Sequence, residues 1–229
     1  MSSSRTALVA GGSGLVGGHL LRQLLEDPNY DRVTALVRRQ LTLTHKKLVQ
    51  RVVDFDRLAE VGDFPRVHDV FCCLGTTIGQ AGSQDAFRKV DLTYVLELGR
   101  MAVRHRASQF LLVTALGAGS GSRVFYNRVK GEAEDGVRRL QFDGIHIFRP
   151  SLLLGARTQS RPAERIAGML TPLVGWMLMG PFARYRPIKA AVVARAMVRI
   201  AGEAPRGAHV YESDVIRRLG RGGTRGARR

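Results

Sequence analysis

The sequence predicts an α/β chain: a doubly wound parallel sheet with a small C-terminal substrate region. Three observations carry that expectation. Strand-like and helix-like segments alternate from residue 6 to about residue 150. The strand segments are short apolar runs without a polar face, and turn residues separate them. Strands read this way when helices cover both sides of a parallel sheet. A length of 229 residues fits one such domain, and 45% hydrophobic residues is ordinary for a globular chain.

The elements follow in order. Met1 to Arg5 is short and polar, without the apolar core of a signal peptide. Thr6 to Ala10 reads as a buried strand ended by Gly11-Gly12-Ser13-Gly14. Leu15, Val16, Leu20, Leu21, Leu24 and Leu25 recur at helical spacing, and Pro28 follows that helix. Further strands are expected at Arg32–Val37, Leu48–Val53, His68–Cys73, Gln109–Val113 and Ile145–Phe148, with long helices at Ser83–His105 and Val124–Leu140.

From Ser151 the pattern changes to loops and short helices, and Ala190 to Ala201 is the one regular helix expected there. Residues 166–183 hold eighteen residues without a charge, the nominal length of a membrane span. Pro172, Pro181, Gly168, Gly175 and Gly180 interrupt the run, which argues against a continuous helix. It fits either an apolar lid over a hydrophobic ligand or a homodimer contact. The expected organisation is one domain over 1–214, with 151–214 as its substrate or lid region, and a disordered Arg/Gly-rich tail over 215–229.

The net charge is +17, from 36 basic and 19 acidic residues. Six arginines follow Asp214 with no acid among them, which leaves +11 for residues 1–214. Arginine outnumbers lysine 31 to 5, so compositional bias accounts for much of the excess. The tail has no aromatic interleaving and no recognition motif, and nucleic acid is not the expected partner. Cys72 and Cys73 are the only cysteines, are adjacent and have no others to pair with. They exclude a disulfide scaffold and a cysteine metal cage and point to a reducing, cytoplasmic setting. The six histidines are scattered without metal-ligand spacing, so no metal is expected.

Gly11-Gly12-Ser13-Gly14-Leu15-Val16-Gly17 lies between the first strand and the first helix. Glycines there permit a tight turn and a close backbone approach to a pyrophosphate, while the helix start offers unpaired N–H groups. In a β-α-β setting this string points to a dinucleotide. The second strand ends in Val37-Arg38-Arg39, where an NAD enzyme would carry an acid for the adenosine ribose. Arg38 can instead pair with a 2′-phosphate, which favours NADP(H). Asp54, after the third strand, is placed either to meet the adenine amino group or to cap a turn.

Tyr126 and Lys130 stand four apart on a predicted helix and so share a face. An ammonium beside a phenol favours the phenolate, which makes the hydroxyl a usable proton donor or acceptor. The lysine can also hold the ribose hydroxyls of a nicotinamide nucleotide. Thr114, at the end of the fifth strand, supplies a hydroxyl to orient a substrate carbonyl. All three fall at the carboxyl ends of the strands, where open α/β sheets bind ligands.

The glycine turn and the Tyr-x-x-x-Lys pair resemble the short-chain dehydrogenase/reductases. Longer strings resemble the atypical branch typified by the Tat-interacting-protein oxidoreductase and its bacterial relatives. Among them are Phe71-Cys72-Cys73-Leu74-Gly75-Thr76-Thr77, Ala115-Leu116-Gly117-Ala118, Phe125 to Glu132, Ile147 to Gly155 and Tyr185-Arg186-Pro187-Ile188. The resemblance covers roughly residues 5–212. It implies a Rossmann domain in which Gly11, Ser13, Gly14, Leu15 and Val16 hold the pyrophosphate. It further implies that Arg38 meets the 2′-phosphate, Leu74-Gly75-Thr76 line the middle of the cofactor, and Tyr126 is the acid/base with Lys130 as its partner. The family pattern has serine where this chain has Thr114.

These readings converge on an NADP(H)-dependent oxidoreductase acting on a small-molecule carbonyl or alcohol. The alternative is an NADP(H)-binding sensor that acts through a protein partner with little or no turnover.

Overall fold

The structure, a computed structural model, describes residues 4–61, 66–155 and 184–221. Its centre is a seven-stranded parallel sheet. The chain supplies β1 (Arg5–Ala10), α1 (Leu15–Glu26), β2 (Tyr30–Val37), β3 (Leu48–Val52) and β4 (Asp69–Cys72). Two short helices, α2 (Ile78–Ala81) and α3 (Gln84–Arg88), lead through a π turn over Lys89–Thr93 into α4 (Tyr94–Arg104). β5 (Gln109–Val113), α5 (Phe125–Arg138) and β6 (Gly144–Arg149) follow. The described C-terminal part adds β7 (Leu153–Leu154), β8 (Ile188–Lys189), α6 (Ala190–Glu203), β9 (Gly207–Glu212) and α7 (Ser213–Arg221). The strand order is β3-β2-β1-β4-β5-β6-β9.

Strand side chains alternate between two cores, as the period of two requires. Ala7 and Val9 of β1, Phe71 of β4, Leu111 of β5 and Phe148 of β6 join one apolar cluster with α1, α6 and α7. Leu8 and Ala10, Val70 and Cys72, Phe110 and Leu112, and Ile145 and Ile147 join the other, under α4 and α5. This double burial is why the inner strands read as unbroken apolar runs.

The chain leaves β1 toward β2 and β3 on one side and later builds β4, β5 and β6 on the other. The connections therefore diverge between β1 and β4, and a crevice opens at the carboxyl ends of those two strands.

Four features depart from the expected elements. β9 was not expected, because this edge strand is largely exposed and lacks an apolar run. β7 and β8 pair with each other, Leu153 with Ile188, and bring the two sides of the C-terminal part together. The long helix expected at Ser83–His105 is interrupted by the π turn. The tail expectation is corrected for residues 215–221, which lie in α7. Ile216 is fully buried there, and Gly220 lies so close to α6 that a Cβ would meet the Val192 carbonyl oxygen at 2.2 Å. Residues 222–229 and the apolar run 166–183 lie outside the described residues. Among the described residues, no helix is long and apolar enough to cross a membrane.

Candidate functional site

The glycine turn sits at the crevice, and its geometry explains its residues. Gly11 has φ +84°, and a Cβ on it would meet the Cys73 carbonyl oxygen at 2.4 Å. Only glycine lets the end of β1 lie against the end of β4 so closely. The Gly14 amide donates to the Gly11 carbonyl at 2.9 Å, closing the turn. A Cβ on Gly17 would meet that same carbonyl oxygen at 2.1 Å, so this glycine sets how near α1 can approach. Gly14 caps α1 without a side-chain hydrogen bond, and the helix start is left to an anion. A glycine cradle that a Cβ would fill, at an uncapped helix start, fits a pyrophosphate.

A cleft runs from this turn in two directions, with lobes of about 830 and 570 Å3. Gly14, Leu74, Gly75 and Thr76 line both lobes. The smaller lobe takes in Gly11, Ser13 and Arg38, together with Phe55 and Tyr94, whose rings are 5.6 Å apart. Arg38 is its only charged lining residue among those described, and no carboxylate faces it there. Two aromatic rings and a single cation in one lobe suit a planar base and a phosphate. Asp54 is not part of this lining. Its carboxylate accepts the Asp56 amide at 2.9 Å and caps the short 3-10 helix over Phe55–Glu60. Of the two roles expected for Asp54, the structure shows the cap.

The larger lobe gathers Leu15, Val16, Thr114, Tyr126 and Lys130. Tyr126 and Lys130 lie on consecutive turns of α5, and Glu134 follows one turn later. Tyr126 is half-buried, with its ring 5.4 Å from that of Phe87. Lys130 is buried, and its Nζ lies 2.7 Å from Oδ1 of Asp91, itself fully buried in the π turn. Burial alone would lower the ammonium's pKa. Asp91, with help from Tyr126, outweighs that and holds it above the ordinary lysine value. The Asp91 Oδ2 also accepts the Thr76 amide at 2.9 Å.

Thr114 reaches the cleft wall, yet its hydroxyl has another use. It donates to Oε1 of the fully buried Glu134 at 2.7 Å. A hydroxyl has one proton, so in this arrangement Thr114 has none to offer a substrate oxygen. Glu134 is held in turn by Arg149, through Nε at 3.0 Å and Nη2 at 2.5 Å, and by Arg138 at 3.1 Å. Arg149 also reaches Glu212 of β9 at 3.2 Å. In this arrangement the Thr114 hydrogen bond ties the end of β5 to α5, and the hydroxyl is not turned to the cleft as the carbonyl-orienting role expects.

Glu134 was not singled out from the sequence, and Asp91 stood out there only as part of the Val90-Asp91 string that carries the resemblance, without a role. Glu134 could have been found by extending the Tyr126-Lys130 spacing one more turn. Burial pushes both thiols up, that of Cys72 to about 12, so neither is a thiolate at neutral pH.

Comparison with known proteins places this geometry. Residues 7–120 match the NAD dependent epimerase/dehydratase family. Protein HTATIP2 of Rattus norvegicus is 39% identical over 168 residues, covering 72% of this chain and 69% of that protein. The chain belongs to the family of Protein HTATIP2. Protein fmp52, mitochondrial, of Emericella nidulans is 31% identical over 222 residues, covering 90% of this chain and 95% of that relative. Among solved structures, MoeE5 in complex with UDP-glucose and NAD superposes with a TM-score of 0.67 at 16% identity, covering 90% of this chain and 74% of that one. That likeness shows the Rossmann-like fold shared with NAD-binding epimerases. The cytoplasmic expectation is overturned, because the FMP52 relatives in three fungi are named mitochondrial. Unpaired cysteines report a redox state and not an address.

Proposed function

We propose that the chain is an NADP(H)-dependent oxidoreductase of the atypical short-chain type, acting on a small-molecule carbonyl or alcohol. The observation that carries this reading is that Tyr126 and the buried Lys130, one turn apart on α5, both line the larger lobe of a cleft that begins at the glycine turn. Membership in an NAD(P)-binding family supports it, and the lone Arg38 in the smaller lobe supports the phosphorylated cofactor.

In this reading the first-turn amides of α1, with Gly11, Ser13, Gly14, Leu15 and Val16, bind the pyrophosphate. Arg38 would bind the 2′-phosphate, and Leu74-Gly75-Thr76 would line the middle of the cofactor. The cofactor, when bound, supplies or accepts the hydride at the substrate's carbonyl carbon. Tyr126 gives its phenolic proton to the carbonyl oxygen as that carbon is reduced. The Lys130 ammonium stabilises the phenolate left behind, and the same groups run the proton backward in alcohol oxidation.

One observation favours a second reading, a cofactor sensor without turnover. The Thr114 hydroxyl is turned to Glu134 and leaves Tyr126 as the proton donor without that partner. NADPH oxidation against a panel of aldehydes and ketones separates the two. The first reading expects turnover by the wild type and about a 10²–10⁴-fold loss in Tyr126→Phe, with NADPH affinity retained. Tight NADPH binding without turnover across the panel would favour the sensor. Undiminished turnover by Tyr126→Phe would remove the assigned proton donor.

A further inference from the structure

We infer that the small-molecule substrate carries a carboxylate away from its carbonyl, and that Arg184 binds that carboxylate at the wall of the larger lobe. The inference rests on the reading of Tyr126 as the proton donor of the same lobe.

Among the described residues, the charged side chains lining this lobe are Lys130, Arg149, Arg184 and Glu212. Three of them are already matched. Lys130 faces Asp91, and Arg149 faces both Glu134 and Glu212. Arg184 pairs with no carboxylate among the described residues. It is exposed, and its Cζ lies 5.1 Å from the ring centre of Tyr185, which lines the lobe beside it. A guanidinium laid on a ring face keeps the donors along its edge free, and that edge matches a carboxylate in a bidentate pair. Leu116, Leu152 and Leu153 line the same lobe and suit a short hydrocarbon spacer between carbonyl and acid.

The wall that carries Arg184 is fixed in place and positive. Ile188 is buried, and its amide donates to the Leu152 carbonyl at 2.9 Å, so the β7–β8 pair anchors the segment. Arg217 of α7 donates to the Arg186 carbonyl at 2.8 Å, and the Ser151 hydroxyl donates to the same oxygen. Burial, with Arg221 and Arg186 adding to it, holds the Arg217 guanidinium below its ordinary value. Of the groups acting on Arg217 only Asp214 is acidic, and Asp214 is itself paired with Arg218 at 2.9 Å. Such a surplus of like charge attracts an anion and repels a cation. One free guanidinium balances one negative charge, which a carboxylate supplies and a phosphate dianion exceeds.

The test compares matched carbonyl compounds in NADPH oxidation by the full chain. Succinic, glutaric and adipic semialdehydes differ from butanal, pentanal and hexanal by a carboxylate in place of a methyl. At least one acid is expected to exceed its partner in kcat/KM by about tenfold or more, through KM, the scale of one charge-assisted contact. Arg184→Gln is expected to bring that ratio near one, Arg184→Lys to restore part of it, and added salt to shrink it. Arg184 is exposed, so these substitutions leave both cores intact. A merely structural effect would slow acid and aldehyde by the same factor. Absence of a preference for the acids, or a preference that survives Arg184→Gln, would overturn the proposal. A larger Arg184-dependent preference for dihydroxyacetone phosphate over dihydroxyacetone would replace the carboxylate with a phosphate and overturn it too. If no carbonyl is turned over, the oxidoreductase reading fails, and calorimetric titration with hexanoate and hexanol decides the role of Arg184. Hexanoate is expected to bind wild type at least about tenfold more tightly than hexanol, and Arg184→Gln to lose the difference. Equal affinities in wild type, or binding of neither, would overturn the proposal.

Discussion

The two ends of the central sheet both bury charged side chains, and they use them in opposite ways. At the amino ends of the strands, Asp69 is fully buried and accepts from Arg5 at 2.6 Å, Tyr30 at 2.7 Å and Gln109 at 2.8 Å. Gln109 passes the chain on to His146 at 3.0 Å. Every one of these groups turns toward another, and neither lobe of the cleft includes them. At the carboxyl ends, Lys130, Thr114 and Arg149 are also held by carboxylates, yet each lines the larger lobe. Buried polarity is therefore no sign of a site by itself. What distinguishes a site is polarity held firmly beside open space at the switch point of the sheet.

Substitutions on opposite ends should separate along the same line. Asp69→Ala is expected to cost about 3 kcal/mol of unfolding free energy, at the low end for a broken buried pair because Arg5 keeps some contact with water. Its NADPH affinity, measured on the folded protein, should match that of wild type. Gly11→Ala should do the reverse in kind. The new methyl would crowd the Cys73 carbonyl and open the turn, and NADPH affinity should fall at least about tenfold in the protein that remains folded. Calorimetric titration beside urea unfolding reads both quantities. Loss of nucleotide binding in Asp69→Ala at full folding would erase the distinction.

A smaller effect is expected from pH. Burial, aided by His209, pushes His146 down to about 4. The unfolded chain takes up that proton near pH 6.5. Between these values the unfolded state binds more protons, so stability falls as pH drops from about 6.5 toward 4. His146→Gln should lose less of its urea midpoint between pH 7 and pH 4.5 than wild type loses. An equal loss in both would remove His146 from the account.

The sequence carried the inner sheet well, because strands covered on both faces have little choice of composition. Ala7 to Ala10, Val33 to Val37 and Gln109 to Val113 show this directly. β9 escaped notice for the opposite reason, since an edge strand such as Gly207–Glu212 needs few apolar residues. α7 was hidden by its arginines, which outnumber the buried Ile216 that anchors it. The glycine turn was legible because its residue types answer to backbone geometry within a few positions. Asp91 and the Thr114–Glu134 bond were not, because each depends on a partner fifteen to forty residues away. Asp54 illustrates a third case, in which local sequence offered two roles and only the fold chose between them.

The most direct test of the cleft as an NADP(H) site is calorimetric titration of wild type and Arg38→Ala with NADPH and NADH. Wild type is expected to bind NADPH at least about tenfold more tightly than NADH, the scale of one charge-assisted contact to phosphate. Arg38→Ala should lose that preference while keeping its NADH affinity. Wild type that binds NADH as tightly as NADPH, or more tightly, would contradict the account.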